Sequence, residues 1–258
     1  MRIVTWNINS VRARLHLIDQ LTQKHAPDVI CLQEIKVEDS KFPFAPLEKF
    51  GYQHFAIKGQ KSHHGVAILS KQPLADIGYH DWCEKGDARY VAATLANGMR
   101  IHNFYVPAGG DVPDRIENDK FDHKLRFMDE MKDWAAGLPG GQIVVGDLNV
   151  APYPEDVWDH KALLKVVSHT PIECDALIDI FDAHQFVDVV REKFPRPEKL
   201  FSWWSYRARD WRASNRGRRL DHVWFSPDIA QKVTAVQIDQ DARSWEKPSD
   251  HAPILFDV

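Results

Sequence analysis

The feature that most restricts the fold is a succession of short apolar segments at strand period, many of them closed by a polar residue. Residues 2–8 place Val4, Trp6 and Ile8 at alternate positions, the period of a β-strand. Behind Ser10, a candidate helix N-cap, Val11, Leu15, Ile18 and Leu21 recur at helical spacing, and residues 28–33 read as a second, more buried strand. Residues 52–57, 65–70, 90–95 and 100–106 form a run of β-rich segments punctuated by Gly and Pro. An amphipathic stretch at 120–134 precedes a compact strand at 142–146. A helical region around 174–184 precedes strand-like segments at 220–225, 235–238 and 252–256. Strand, helix, strand at the front with many hairpin-like strands after it predicts an α/β chain of one architecture, a four-layered αββα sandwich in which two packed mixed sheets are flanked by helices. The Pro and Gly clusters at 107–110 and 138–141 are too short to be linkers and no internal repeat is visible, so residues 1–258 are expected to form a single domain.

Composition excludes several classes of function. With 44% hydrophobic and 27% charged residues the chain has the apolar content of a folded domain, unlike disordered or collagenous sequences. The longest apolar runs fall far short of the roughly 18 residues of a membrane span. The N-terminus passes from Met1-Arg2 straight into Ile3-Val4-Thr5-Trp6 without the apolar core of a secretory signal, and a cytoplasmic location is expected. Cys31, Cys83 and Cys174 form no Cys-x-x-Cys, so neither a disulfide framework nor a thiolate zinc site is expected, and the three read as buried free thiols. A net charge of −4 argues against a protein that coats nucleic acid through bulk charge. Locally the balance reverses: residues 207–219 hold Arg207, Arg209, Arg212, Arg216, Arg218 and Arg219 against one acid, Asp210, with Trp203, Trp204 and Trp211 in or beside the stretch.

The chemistry is suggested by the polar residues at strand ends. Asn7 and Asn9 interrupt the first strand, Gln33 and Glu34 close the second, Asp147 and Asn149 follow Ile143-Val144-Val145-Gly146, Asp221 follows Leu220, and Asp250-His251 precede the last strand. Each alone has an ordinary explanation as a cap, a turn or a surface ion pair. In a sandwich, however, loops gather at two ends, where such residues can meet in one cleft. Carboxylates brought together repel one another and call for a cation. Oxygen donors favour Mg²⁺, with Mn²⁺ as a substitute, and a site of this kind suits phosphate-ester chemistry. His251 adds a donor for a phosphate oxygen, and Asp221 is placed to hold its imidazole in one tautomer.

Taken in order, Trp6-Asn7-Ile8-Asn9, Leu32-Gln33-Glu34-Ile35-Lys36, His64-Gly65-Val66-Ala67, Gly146-Asp147-Leu148-Asn149, Asn215-Arg216-Gly217 with Leu220-Asp221, and Ser249-Asp250-His251-Ala252-Pro253 resemble the exonuclease III/AP endonuclease family over essentially the whole chain. The resemblance implies an αββα sandwich with one metal-dependent site. It implies a Mg²⁺-dependent DNA repair nuclease, acting as a monomer on double-stranded DNA, that cuts 5′ to abasic sites and trims 3′ ends. Carried over residue by residue, Glu34 is the principal metal ligand, with Asn7 and Asp250 as ligands or ligand positioners. Asp147 activates the attacking water, Asn149 positions it, and both belong with His251 to the metal-site set. His251 contacts the scissile phosphate with Asp221 behind it, and Tyr105 bonds a phosphate oxygen. Whether Asp147 or Tyr105 handles the proton stays open. Arg216, Arg218 and Arg219 are expected to hold flanking phosphates, Trp203, Trp204 and Trp211 to stack on or wedge unstacked DNA, and Arg12 and His64 to add backbone contacts.

Two positions depart from the family pattern: Ala108 after Pro107, where an amide is usual, and Arg218, where an apolar or aromatic residue is usual. An alternative reading sets the same core on an inositol phosphate or phospholipid, and another is a nucleic-acid-binding module with a dead site. The arginine and tryptophan stretch favours DNA over the first, and the complete acid and amide set argues against the second.

Overall fold

A computed structural model describes residues 1–208 and 210–258; Arg209 of the arginine stretch lies outside the described residues. Its strands, in chain order, are β1 (Arg2–Asn7), β2 (Val29–Gln33), β3 (His54–Lys58), β4 (Val66–Ser70), β5 (Ala75–Gly78), β6 (Tyr90–Thr94), β7 (Arg100–Tyr105), β8 (Gln142–Asp147), β9 (Val187–Asp188), β10 (Trp203–Trp204), β11 (Gly217–Arg218), β12 (Asp221–Phe225), β13 (Ala235–Ile238) and β14 (Ile254–Asp257). They form two six-stranded sheets, ordered β13-β14-β1-β2-β4-β3 and β5-β6-β7-β8-β12-β9, and a two-stranded ladder of β10 and β11. Each large sheet has one parallel pair at its centre, β1 with β2 and β7 with β8, flanked by antiparallel neighbours. A parallel pair needs a crossover, supplied by helix Leu15–His25 in the first sheet and helix Asp119–Ala136 in the second.

The layers follow from side-chain parity. In β1, Ile3 joins the core between the sheets, while Val4 and Trp6 pack with Leu17, Ile18 and Leu21 of helix Leu15–His25 on the outer face. In β8, Ile143 and Val145 face the other sheet, and Val144 packs outward with Phe127 and Met131 of helix Asp119–Ala136 and with Leu177 and Ile180 of helix Pro171–Ala183. The result is the expected helix–sheet–sheet–helix sandwich. Both central pairs are buried on both faces, which explains why the strands around them carry so little polar alternation.

Two local expectations change. The first helix begins at Leu15, with no side-chain cap, because Asn9 and Ser10 take positive φ and their segment continues along β2. Ser10 N–H donates to the Glu34 carbonyl at 2.7 Å and Val11 N–H to that of Ile35 at 3.2 Å. Of the three thiols, Cys31 and Cys174 are buried as expected and Cys83 is partly exposed.

Candidate active site

The same parity that builds the core aims the site. Asn7 continues the inward face of Ile3 in β1, Tyr105 that of Ile101 in β7, and Asp147 that of Ile143 and Val145 in β8, so all three enter the gap between the sheets at the carboxyl ends of parallel strands. In open α/β sheets that end of the strands is where ligands bind. Asp221 opens β12, pairs in register with Asp147 across the antiparallel ladder and shares its face. Two carboxylates facing one another in this way are unfavourable unless something intervenes.

What intervenes is His251. Its Nδ1 lies 2.8 Å from Asp221 Oδ2 and its Nε2 lies 3.6 Å from Asp147 Oδ2. Burial alone would disfavour the imidazolium, but the charges of Asp221 and Asp147 outweigh it and push the His251 pKa up to about 10. Ser202 donates to Asp221 Oδ2 at 2.6 Å, and Trp6 Nε1 holds the His251 carbonyl at 2.9 Å. Asp147 is pushed up to about 7, by burial first and by Asp221 and Glu34 against the opposing pull of His251 and the Asn7 amide.

The Asn7 amide ties the rest together. Its Nδ2 donates to Glu34 Oε1 at 3.0 Å and to Asp147 Oδ2 at 2.9 Å, while its Oδ1 accepts the Asn9 N–H. In this arrangement the Asn7 amide is a donor shared by two carboxylates. Tyr105 donates to Glu34 Oε1 at 2.9 Å and Lys36 lies 2.7 Å from Glu34 Oε2. Burial would raise the Glu34 pKa, but Lys36, the Asn7 amide and His251 hold it below the usual carboxylate range. The Tyr105 phenol is driven well above its ordinary value by burial and then by Glu34 and Asp147, so it is a neutral donor at physiological pH. Asp250 accepts from Asn9 Nδ2 at 3.1 Å and from Trp203 Nε1 at 3.0 Å; burial works against ionisation there, and His251 with these two donors prevails. Asn149, at φ 55°, donates its side-chain amide to the Val106 carbonyl at 2.8 Å.

Above this cluster opens a pocket of about 480 Å³. Glu34, Tyr105, Asp147, Asn149, Asp250 and His251 line its floor, and Val167, Ser168, Trp203, Arg218 and Leu220 are among the residues of its walls. All eight residues expected from sequence at the catalytic and metal site therefore meet in one place. The donor set is carboxylate and amide oxygen with a single imidazole, which fits a hard divalent cation. Asp147, Asp221 and His251 offer ligand atoms within 4.8 Å of one another. Asp221 Oδ2, however, is occupied by His251 and Ser202, and Asp221 does not line the pocket. Its geometry is that of an orienting partner, and the carboxylates that do line the pocket are Glu34, Asp147 and Asp250.

The outlying candidates divide. The His64 ring lies tilted 5.9 Å from the Tyr105 ring, with Nε2 3.2 Å from Arg89, and burial followed by Arg89 lowers its pKa to about 4. Arg12 and Arg216 are exposed, the latter over the Trp158 ring at 4.7 Å. Trp203 reaches the site through Asp250, and Trp211 is half-buried against Trp204, which is itself in the core. Arg219 is a correction: it is 0% exposed and binds Asp156 at 2.8 and 3.0 Å and Asp188 at 2.7 Å, so it cannot reach a phosphate. Its backbone N–H also donates to the Asp156 carbonyl at 2.8 Å, which fixes the residue beside that acid. Arg218, by contrast, enters the pocket wall, donating to the Val167 carbonyl at 2.9 Å and to Ser168 Oγ at 2.7 Å. Sequence reasoning missed Arg89, whose guanidinium lies 5.2 Å over the Tyr105 ring, and Ser202 beneath Asp221. Neither has a sequence signal; Lys36 does, standing two residues after Glu34.

Fold and site together define a metal-dependent hydrolase of phosphate esters. Residues 4–251 match the Endonuclease/Exonuclease/phosphatase family, and the chain belongs to it. It is 34% identical to an exodeoxyribonuclease III of Haemophilus influenzae, with 98% of each chain covered. An AP endonuclease structure from Archaeoglobus fulgidus matches with a TM-score of 0.92 at 31% identity, covering 100% of this chain and 98% of the other. A 3′ phosphatase from Neisseria, solved bound to a product DNA hairpin, matches with a TM-score of 0.91 at 29% identity, covering 100% and 98%.

Proposed function

We propose that the protein is a Mg²⁺-dependent DNA repair nuclease, one catalytic domain spanning residues 1–258, that hydrolyses phosphodiesters in duplex DNA 5′ to abasic sites and trims nucleotides or blocking groups from 3′ ends. The observation that carries this reading is the convergence of Glu34, Asp147 and the Asp221-held His251 on the floor of one open pocket. The names of the relatives supply the substrate class. Glu34, with Asp250 and Asp147 beside it, would hold Mg²⁺ or Mn²⁺, which neutralises phosphate charge when bound. Asp147, held by the Asn7 amide on the pocket floor, accepts the proton of the attacking water that Asn149 orients. His251, kept protonated and in one orientation by Asp221, donates to the developing charge on the phosphate. Tyr105, held neutral, donates to another phosphate oxygen, which supports Asp147 as the proton acceptor in this reading.

In this reading Arg12, Arg216 and His64 hold flanking phosphates, Trp203 and Trp211 contact unstacked DNA, and Arg218 faces the group bound in the pocket. The enzyme acts as a monomer in the cytoplasm; among the described residues no helix is long and apolar enough to cross a membrane. Incubation with a duplex carrying one abasic site tests the proposal. Cleavage 5′ to the site with Mg²⁺, abolished by EDTA, is expected, and cleavage of an inositol phosphate in place of the duplex overturns it.

A further inference from the structure

Beneath the pocket lies a buried ion pair that the chemistry above does not use. Lys124, on helix Asp119–Ala136, and Glu173, on helix Pro171–Ala183, are both 0% exposed. Lys124 Nζ donates to Glu173 Oε1, to the Asn149 carbonyl at 2.8 Å and to the Ala108 carbonyl at 3.4 Å, so its three hydrogens go to three different chain segments. Glu173 accepts the Ser168 N–H on both oxygens at 2.9 Å, and the Thr170 N–H and hydroxyl at 3.2 and 2.6 Å.

The contacts to Thr170 are a helix capping box and need no lysine. The bonds to Ser168 and Lys124 go further, because they join the Ala108 loop, the Asn149 turn and the Ser168 loop at one point. Each of these segments lines the pocket. Ser168 Oγ and the Val167 carbonyl in turn hold Arg218, which extends the connection to a fourth pocket-lining segment. The loop is also packed tightly on the lysine stem: a Cβ at Gly109 would lie 2.9 Å from Lys124 Cδ and 3.0 Å from Val167 Cγ1. The two helices already pack through Phe127, Met128, Leu177 and Ile180, and burying two charges between them costs stability that apolar side chains of similar size would not. What the charges add is donors and acceptors reaching three loops at once.

We propose that Lys124 and Glu173 are positioning residues that lock the Asn149 turn to the pocket walls, so that orientation of the attacking water and recognition of the group in the pocket depend on one buried ion pair. The proposal rests on the nuclease reading of the site. It is tested with the double variant Lys124→Met/Glu173→Leu, which removes both charges together and is expected to stay folded, since apolar replacement of a whole buried pair is commonly tolerated. Its kcat on abasic duplex should fall about tenfold to a hundredfold, as for a small misplacement of a reacting group. The ratio of abasic-site cleavage to 3′ trimming should shift, and the Ser168 amide should exchange its hydrogen faster. Wild-type kcat, ratio and exchange in the folded double variant overturn the proposal. If the double variant does not fold, Glu173→Gln, which keeps an acceptor but removes the charge, should show the same changes at smaller size, and unchanged values there overturn it. Wild-type enzyme is assayed alongside: failure of wild type to cut sinks the nuclease reading, whereas the exchange rate of Ser168 still decides on the clamp.

Discussion

The acid cluster and the arginine-rich segment are adjacent in space and differ in how they are built. The cluster hangs from β1, β7, β8 and β12, where every second side chain faces the other sheet, so once the strands form the directions of Asn7, Tyr105, Asp147 and Asp221 are set. The arginine segment runs through the ladder of β10 and β11, the short helix Trp211–Ser214 and turns, and its described arginines take separate paths. Arg219 is buried among Asp156 and Asp188, Arg207 and Arg218 line the pocket, Arg212 pairs at the surface with Asp241, and Arg216 lies exposed over the Trp158 ring. A run of like charges therefore defines a composition but not a surface. A polar residue at the inward position of a strand end, by contrast, is aimed by the backbone.

That contrast can be broken most directly at the cluster. Asp147→Ala and Glu34→Ala should each leave a folded protein, by circular dichroism, with turnover on abasic DNA lower by roughly a thousandfold or more, about 4 kcal/mol of transition-state stabilisation. Near-normal rates at saturating Mg²⁺ in either variant would remove that residue from the chemistry.

Within the arginine segment the expected effects separate by residue. Arg219→Ala leaves Asp156 and Asp188 without this buried partner and should lower stability in urea by about 3 to 5 kcal/mol, the range for breaking a buried pair, without changing the salt dependence of DNA binding at temperatures where the variant is folded. A stable variant with a flattened salt slope would put Arg219 back on the DNA surface.

Arg218→Trp should raise the ratio of abasic-site cleavage to 3′ exonuclease activity by the equivalent of about 1 to 3 kcal/mol, as for other differences in pocket fit. The guanidinium now in that wall can stack on a base or bond a phosphate, and an indole contacts a baseless sugar while excluding a full nucleotide. Values of kcat/KM for both substrates on both proteins decide this, and a ratio that stays level or falls refutes it.

The smallest effect is at Arg216. Replacement by Ala should leave thermal stability unchanged and flatten the slope of log affinity against log salt by about 0.9, one phosphate contact on duplex DNA. An unaltered slope would mean that the exposed arginine does not meet the backbone.

Strand period, helix spacing and the polar residues that close the strands were enough to establish the layers and the acid, amide and imidazole set, because these are local patterns that the backbone converts directly into direction. The strand period of residues 2–8 marked two faces, with Val4, Trp6 and Ile8 on one and Asn7 on the other, but only the packing showed that the Asn7 face, shared with Ile3, is the inward one. The start of the first helix was not legible, since the positive φ at Asn9 and Ser10 comes from hydrogen bonds to the Glu34 and Ile35 carbonyls, contacts distant in sequence. Nor were Arg89 above Tyr105, Ser202 beneath Asp221 or Lys124 beneath Asn149, each of which acts on a residue far along the chain. The fate of Arg218 and Arg219 shows the limit most sharply: they are adjacent and chemically identical, and the sequence determined only that both are cationic. Tertiary structure sent one into a pocket and the other into the interior, because Asp156 and Asp188, brought from other segments, receive the Arg219 guanidinium there, whereas Arg218 meets only the Val167 carbonyl and Ser168 Oγ.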